Sequence, residues 1–323
     1  MPSPNAAFTQ MITAQQRWQS KGLTEQFVEH NALWRLMKER GHIKTEPGEG
    51  TEITYPLAYQ GNNTIMNYSE FQRHDVSQRD FITACKYDWR QKAAYVIASG
   101  KELRINRGET AMIKLVKAKK ENLVDSVANH MQTETYSDGS VDGSIGGLAS
   151  IITDNGQGTV GGISGTTYSW WRNQVQVEDN STYWATPENL KRSLNKLHIK
   201  LTIGTQKPDL YVLTNDLYEI YLASLQAQQR FMEVKKASAG FDVVAFIDGV
   251  PMIHDLNAGG GFTGEMGYAL NTKYLYMIEH PDARWGAEDE RKPLDQDGIA
   301  IPYYWMGQMV CNSRRHQGKL LSA

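Results

Sequence analysis

The chain reads as an α+β protein in which a projecting hairpin, one long helix and a separate α/β section follow one another. Three observations predict this. Residues 52–59 alternate strictly, putting Ile53, Tyr55, Leu57 and Tyr59 on one face ahead of the turn residues Gly61, Asn62 and Asn63. From Glu109 onward, apolar residues recur at helical spacing over roughly 24 residues, a rod of about 36 Å. From Asp209 onward, DLYVL, a helical stretch, FDVVAFIDGVPMIHD and GYALNTKYLYMIEH give the order strand, helix, hairpin, strand.

The elements follow in order. Residues 1–23 are polar and Gln-rich without clear periodicity, and read as an extended arm. Thr24 caps a helix reaching about Arg40, striped by Phe27, Trp34 and Met37, with Lys38 and Arg40 in its last turn and Gly41 as its stop. TEITYPLAY then runs out and TIMNYSEF, which contains Tyr68, runs back as a hairpin. Pro56 lacks an N–H, so it belongs where no neighbouring strand needs that bond. Arms of roughly 10 residues project about 30 Å. A two-stranded ribbon is marginally stable alone, so it needs a surface to lie on, and no segment nearby in sequence supplies one.

Residues 80–105 read as strands. The helix over 109–132 places Met112, Ile113, Val116, Leu123, Val124, Val127 and Met131 on one face. Lys114, Lys117, Lys119 and Lys120 occupy the other, a solvated face or else one turned to DNA or a scaffold. Residues 137–166 are Gly/Ser/Asp-rich loops around a short strand, IIT. Thr186-Pro187 caps and opens a helix lined by Leu190, Leu194 and Leu197. DLYVL is a buried-strand pattern, and Thr214 caps the helix after it, which carries Leu217, Ile220, Tyr221 and Leu225. A hairpin about Asp248-Gly249 and strands in 267–280 and 301–313 complete the chain.

At 323 residues the chain can bury a sizeable core. With 40% hydrophobic and 22% charged residues it groups with soluble globular proteins, and no window approaches the ~18–20 apolar residues of a membrane span. The first residues lack the basic and apolar regions of a secretory signal, so export is not expected. Cys85 and Cys311 lie far apart in strand-like runs and read as reduced, buried thiols, in keeping with a cytosolic setting. A net charge of −2 argues against coating nucleic acid by charge alone. The 16 Tyr and 8 Trp suit protein–protein contacts, although a Tyr-rich core explains them equally well.

No constellation supports catalysis, a cofactor or a metal. Gly156, Gly158 and Gly161 spell GxGxxG, but no amphipathic helix follows and no ribose-binding acid lies about 20 residues on. Glycines that allow positive φ in a turn-rich loop explain the same residues. Gly162-Ile-Ser164-Gly-Thr166 misses the last glycine of a nucleophile elbow. Asp138 to Asp142 and Asp295 to Asp297 resemble pieces of calcium loops without the remaining ligands, which is turn chemistry. The histidines show no metal-ligand spacing. His254-Asp255 reads as the hydrogen-bonded end of a strand, and Arg314, Arg315, His316 and Lys319 as a solvated basic end that could touch nucleic acid.

The order of elements, together with KPDLYVLTNDLYEIYLASL, FDVVAFIDGVPMIHD, GYALNTKYLYMIEH and GGLASIITDNGQGTVGGISGTTYSWWRN, resembles the Hong Kong-type major capsid proteins of tailed bacteriophages over nearly the whole chain. The resemblance implies an N-terminal arm and short helix (1–42), an extended-loop hairpin (43–75), a peripheral domain with a spine helix (76–145), an axial domain (146–268) and return strands (269–323). It implies a non-enzymatic subunit that forms pentamers and hexamers of an icosahedral virion shell around double-stranded DNA, bound without sequence specificity. Assembly in the host bacterial cytoplasm, with a portal protein, a scaffolding protein and optionally a decoration protein, goes with it. No coiled-coil prelude precedes residue 24, so the scaffold is expected as a separate chain or as a segment already removed. Ile53, Tyr55, Leu57, Tyr59, Asn62, Asn63 and Tyr68 are the expected assembly contacts. An encapsulin-like compartment shell, packaging a cargo enzyme, shares the fold and differs in its contents. A soluble α/β enzyme would differ in oligomer size.

Overall fold

The computed structural model describes residues 32–46, 50–61, 64–73, 80–101, 109–178, 187–225, 244–245, 249–255, 266–292 and 296–322. The arm, Thr24, Phe27, Asn62, Asn63, Thr186, Asp248 and Asp295 lie outside them, as do the side chains of Met112, Ile113, Lys114, Val116 and Lys117.

Helix α1 (Ala32–Glu39) buries Leu33, Trp34 and Met37. It stops as expected: Gly41 takes φ +71°, its N–H donates to Lys38 O, and the His42 N–H donates to Met37 O, which satisfies the last carbonyls. Strand β1 (Ile43–Thr45) then joins a four-stranded sheet of order β1-β12-β13-β4, built with β4 (Arg90–Ser99), β12 (Leu275–Ala287) and β13 (Gly298–Cys311). Helix α2 (Glu109–Thr135) lies against β4, a rod of about 40 Å at 1.5 Å per residue. Val124, Val127 and Met131 are buried as their spacing predicts, and the Trp34 indole donates to Thr135 Oγ1 at 2.6 Å.

The lysine face of α2 departs from expectation. Lys120 is buried, which pulls its pKa down to about 8, and Lys119 donates to the Ile97 carbonyl of edge strand β4. An edge carbonyl capped by a lysine discourages a foreign strand from pairing there.

The second sheet has six strands in the order β7-β14-β11-β8-β10-β9. These are β7 (Gln174–Glu178), β8 (Leu210–Leu213), β9 (Val244–Ala245), β10 (Pro251–His254), β11 (Met266–Leu270) and β14 (Gly318–Ser322). Helices α4 (Pro187–Leu201) and α5 (Asn215–Leu225) pack on one face, numbering from α2 through the short α3 (Leu148–Ile151). Leu190, Leu194, Leu197, Leu217 and Tyr221 meet Tyr211 and Leu213 there, whereas Leu210 and Val212 face the main core. A strand covered on both faces needs apolar residues at every position, which explains the unbroken run in β8.

Several expectations are corrected. IIT is not a strand, since residue 151 ends α3 and no strand follows before β5 (Thr159–Val160), which pairs with β6 (Ile163–Ser164). Thr214 does stand directly before α5, its carbonyl accepting from the Tyr218 N–H, but its hydroxyl donates to the Met266 carbonyl of β11. At the end of β10, His254 stacks on Tyr218, and Asp255 accepts from Gln132 of α2 and from Tyr136 just after it. Of the basic end, Arg315 is exposed, whereas Arg314 and Lys319 are internal. β14 lies inside the sheet, Lys319 pairs with Asp154 at 2.5 Å, and Arg314 is fully buried.

The GxGxxG glycines are turn positions, with φ of +70°, +77° and +59° at Gly156, Gly158 and Gly161. Gly161 and Gly162, both at positive φ, form the two-residue turn between β5 and β6.

Candidate functional site

The expected hairpin exists with a different return arm. β2 (Glu52–Ala58) pairs antiparallel with β3 (Ile82–Asp88), from Glu52↔Asp88 to Ala58↔Ile82. TIMNYSEF is not the return strand: among the described residues, 64–73 carry no strand and sit within the connection. Among the described residues the ribbon has no further strand partner, so Pro56 deprives none of them of a bond.

The alternation was informative about which residues share a face. Ile53 faces Tyr87 and Tyr55 faces Cys85, and this row turns inward. Its surroundings are the chain's own core. The Tyr87 hydroxyl donates to Cys311 O at 2.8 Å and accepts from the Cys311 N–H at 3.3 Å. The Cys85 thiol donates to Tyr55 O at 3.5 Å. Burial pushes the Cys85 thiol up to about 11 and the Cys311 thiol up to about 12, so both stay protonated and unreactive. Tyr55 donates to Glu46 and stacks on Tyr276 at 6.3 Å, and burial first, then the Glu46 bond, raises its pKa.

Gly161 closes against this root. A Cβ there would stand 2.8 Å from the Cys85 Cβ, and its carbonyl accepts from the Lys86 N–H at 3.0 Å. Gly161→Ala is expected to cost about 2–4 kcal/mol, through positive φ and the clash together, and Gly162→Ala, in open space, only about 1–2 kcal/mol. Urea midpoints of the two variants check this, and equal losses would remove the packing argument.

Farther out, the ribbon changes character. Tyr59 donates to Asp80 O at 2.6 Å across the ribbon and stacks on Trp170 at 5.5 Å. Beyond it, Ile65 is 88% exposed, Tyr68 68% and Phe71 97%, while Phe81 and Ile82 on the other arm are about half exposed. Large apolar groups clustered this way on a projection mark an interaction surface.

Of the expected contact residues, therefore, Ile53, Tyr55 and Leu57 are engaged within the subunit, Tyr59 lies on Trp170, and Tyr68 is exposed. Ile65, Phe71, Phe81 and Ile82, also exposed, were not among those expectations, although each is a large apolar residue in a segment read as strand.

Among the described residues no group of three or more His, Cys, Asp or Glu could hold a metal ion, and no helix is long and apolar enough to cross a membrane.

No protein-family model and no curated protein matches the sequence. Solved structures do match it along most of its length. The capsid asymmetric unit of cyanophage A-1(L) is 14% identical with a TM-score of 0.60, over 87% of this chain and 89% of that one. The capsid of an empty GTA particle is 10% identical with a TM-score of 0.57, over 88% and 89%. The capsid of cyanophage P-SCSP1u is 8% identical with a TM-score of 0.55, over 87% and 86%.

This chain has the Hong Kong-type phage capsid fold.

Proposed function

We propose that the chain is the major capsid protein of a tailed bacteriophage, joining as pentamers and hexamers into an icosahedral shell that encloses double-stranded DNA. The observation that carries this reading is the ribbon on a capsid fold. Its root is fixed in the core, while Ile65, Tyr68, Phe71, Phe81 and Ile82 remain exposed near its far end. A patch on one subunit that fits a different surface on the next makes a heterologous contact, and such contacts close into rings.

The subunit works through interfaces, without catalysis or cofactor. Its partners are copies of itself, a portal protein, a scaffolding protein and optionally a decoration protein, met in the host bacterial cytoplasm. DNA is enclosed without sequence readout, in keeping with a net charge of −2. Within this proposal the arm spans 1–42, the extended loop 43–75, the peripheral domain 76–145, the axial domain 146–268 and the return strands 269–323, except that β1 joins the four-stranded sheet, β3 belongs with the loop and β14 returns to the six-stranded sheet. No observation favours the encapsulin-like reading.

Electron microscopy of the purified protein, with light scattering for mass, tests the proposal. Closed shells or rings of five or six subunits are expected. A monomer or dimer that added scaffold and higher concentration leave unchanged would overturn it.

A further inference from the structure

The contacts of the ribbon fall into three stretches. At the root, Ile53, Cys85 and Tyr87 are buried and Tyr87 is bonded twice to Cys311, so this end cannot shift without opening the core. At the far end, Ile65 and Phe71 are almost wholly exposed. Between them Leu57 packs against the core, and farther out the Tyr59 ring lies on Trp170, centroids 5.5 Å apart and planes 25° from parallel.

The two halves of that contact differ. Trp170 is a stationary platform. Its neighbour Trp171 is buried and donates to Val160 O at 3.0 Å, Tyr168 leans on it at 5.8 Å, and Arg172 ties the segment to the carbonyls of Gly165 and Thr166. Tyr59 stands on the ribbon, just past the end of β2. Among the described residues the ribbon is two-stranded, and such a ribbon is marginally stable by itself. Both rings are only partly buried, so parting them uncovers little apolar area.

We infer that Tyr59 and Trp170 form a releasable latch. Closed, it holds the ribbon against its own subunit. Open, it lets the ribbon turn about the Ile53–Tyr87 root to seat on a neighbouring copy. The consequence for assembly rests on the capsid reading, whereas the latch itself is a property of the single subunit.

The test uses the full chain as soluble subunit, in three forms: wild type, Trp170→Ala and Trp170→Phe. Limited proteolysis reads cleavage within 60–82 against cleavage elsewhere, because cutting follows the open population when reclosing is fast. An aromatic pair is worth about two- to tenfold in such an equilibrium. Trp170→Ala is expected to speed ribbon cleavage by about that factor, with other sites and the thermal midpoint unchanged. Trp170→Phe is expected to restore the wild-type rate. Unchanged ribbon cleavage, or faster cleavage at every site, overturns the latch. On raising the concentration, the Ala variant is expected to form shells sooner than wild type, and an equal or later onset overturns the restraining role. If no variant forms shells while the cleavage pattern holds, the capsid reading fails and the latch stands.

Discussion

A subunit carrying Ile65→Asp, Tyr68→Asp and Phe71→Asp is expected to melt at the wild-type temperature and to form no shells. All three side chains are exposed in the subunit, so their replacement removes little from its core, and surface changes of this kind usually stay within about 0.5 kcal/mol. In an assembled contact the same side chains would be covered. Burying a large apolar side chain contributes about 1.5–3 kcal/mol, so losing three removes roughly 5–9 kcal/mol per contact. Desolvating three carboxylates weakens it further. At 1.4 kcal/mol per tenfold, that is about three to six orders of magnitude in each contact. Light scattering and thermal melts of the same preparation provide the measurement. Normal shells would remove the far end of the ribbon from the interface, and a lowered melting temperature would show that it packs within the subunit.

Arg314→Met is expected to destabilise the subunit by about 3–5 kcal/mol, although it replaces a charge with an apolar chain of similar length. The Arg314 side chain is fully buried, and no carboxylate pairs with it among the described residues. Burial lowers its pKa, and neutral acceptors hold it in place of an anion. Nε donates to Ile151 O at 2.7 Å and Nη1 to Gly158 O at 3.3 Å. Nη2 reaches Asn173 Oδ1 at 2.8 Å, Thr153 Oγ1 at 3.1 Å and Gln157 O at 3.3 Å. One planar fork thus organises the glycine loop between α3 and β5, and its loss strands several acceptors in a buried site. Arg314→Lys keeps the charge but not the fork, so it is expected to recover less than half of the loss. Urea unfolding midpoints, with proteolysis of residues 153–165, read both effects. A midpoint unmoved by Arg314→Met would mean that water can replace the fork.

Much of this protein was legible in its sequence wherever a short pattern carries its own physics. Gly41 ends α1 because positive φ and two bonds to Met37 and Lys38 are local. The leucine row of α4 and the unbroken run of β8 announced a helix and a strand covered by neighbours. Cys85 and Cys311 proved buried and free of a disulfide, and the GxGxxG glycines proved to be turns.

Pairing was a different matter. A period of two says which residues of β2 share a face, but any strand of matching period can lie opposite. Tertiary packing chose β3 over the nearer TIMNYSEF, because Cys85 and Tyr87 complete the core beside Ile53 and Tyr55. The charged end of the chain shows the same limit. Arg314, Arg315, His316 and Lys319 read as a solvated patch because charge ordinarily stays in water, and Arg315 is in fact exposed. What allows Arg314 and Lys319 inside are acceptors 141 to 165 residues away, at Asn173, Thr153, Gln157, Gly158, Ile151 and Asp154. The local sequence determined the elements and the rows of side chains each could bury. Only the tertiary structure decided which rows were covered, because the partners of a buried face or a buried charge come from distant parts of the chain.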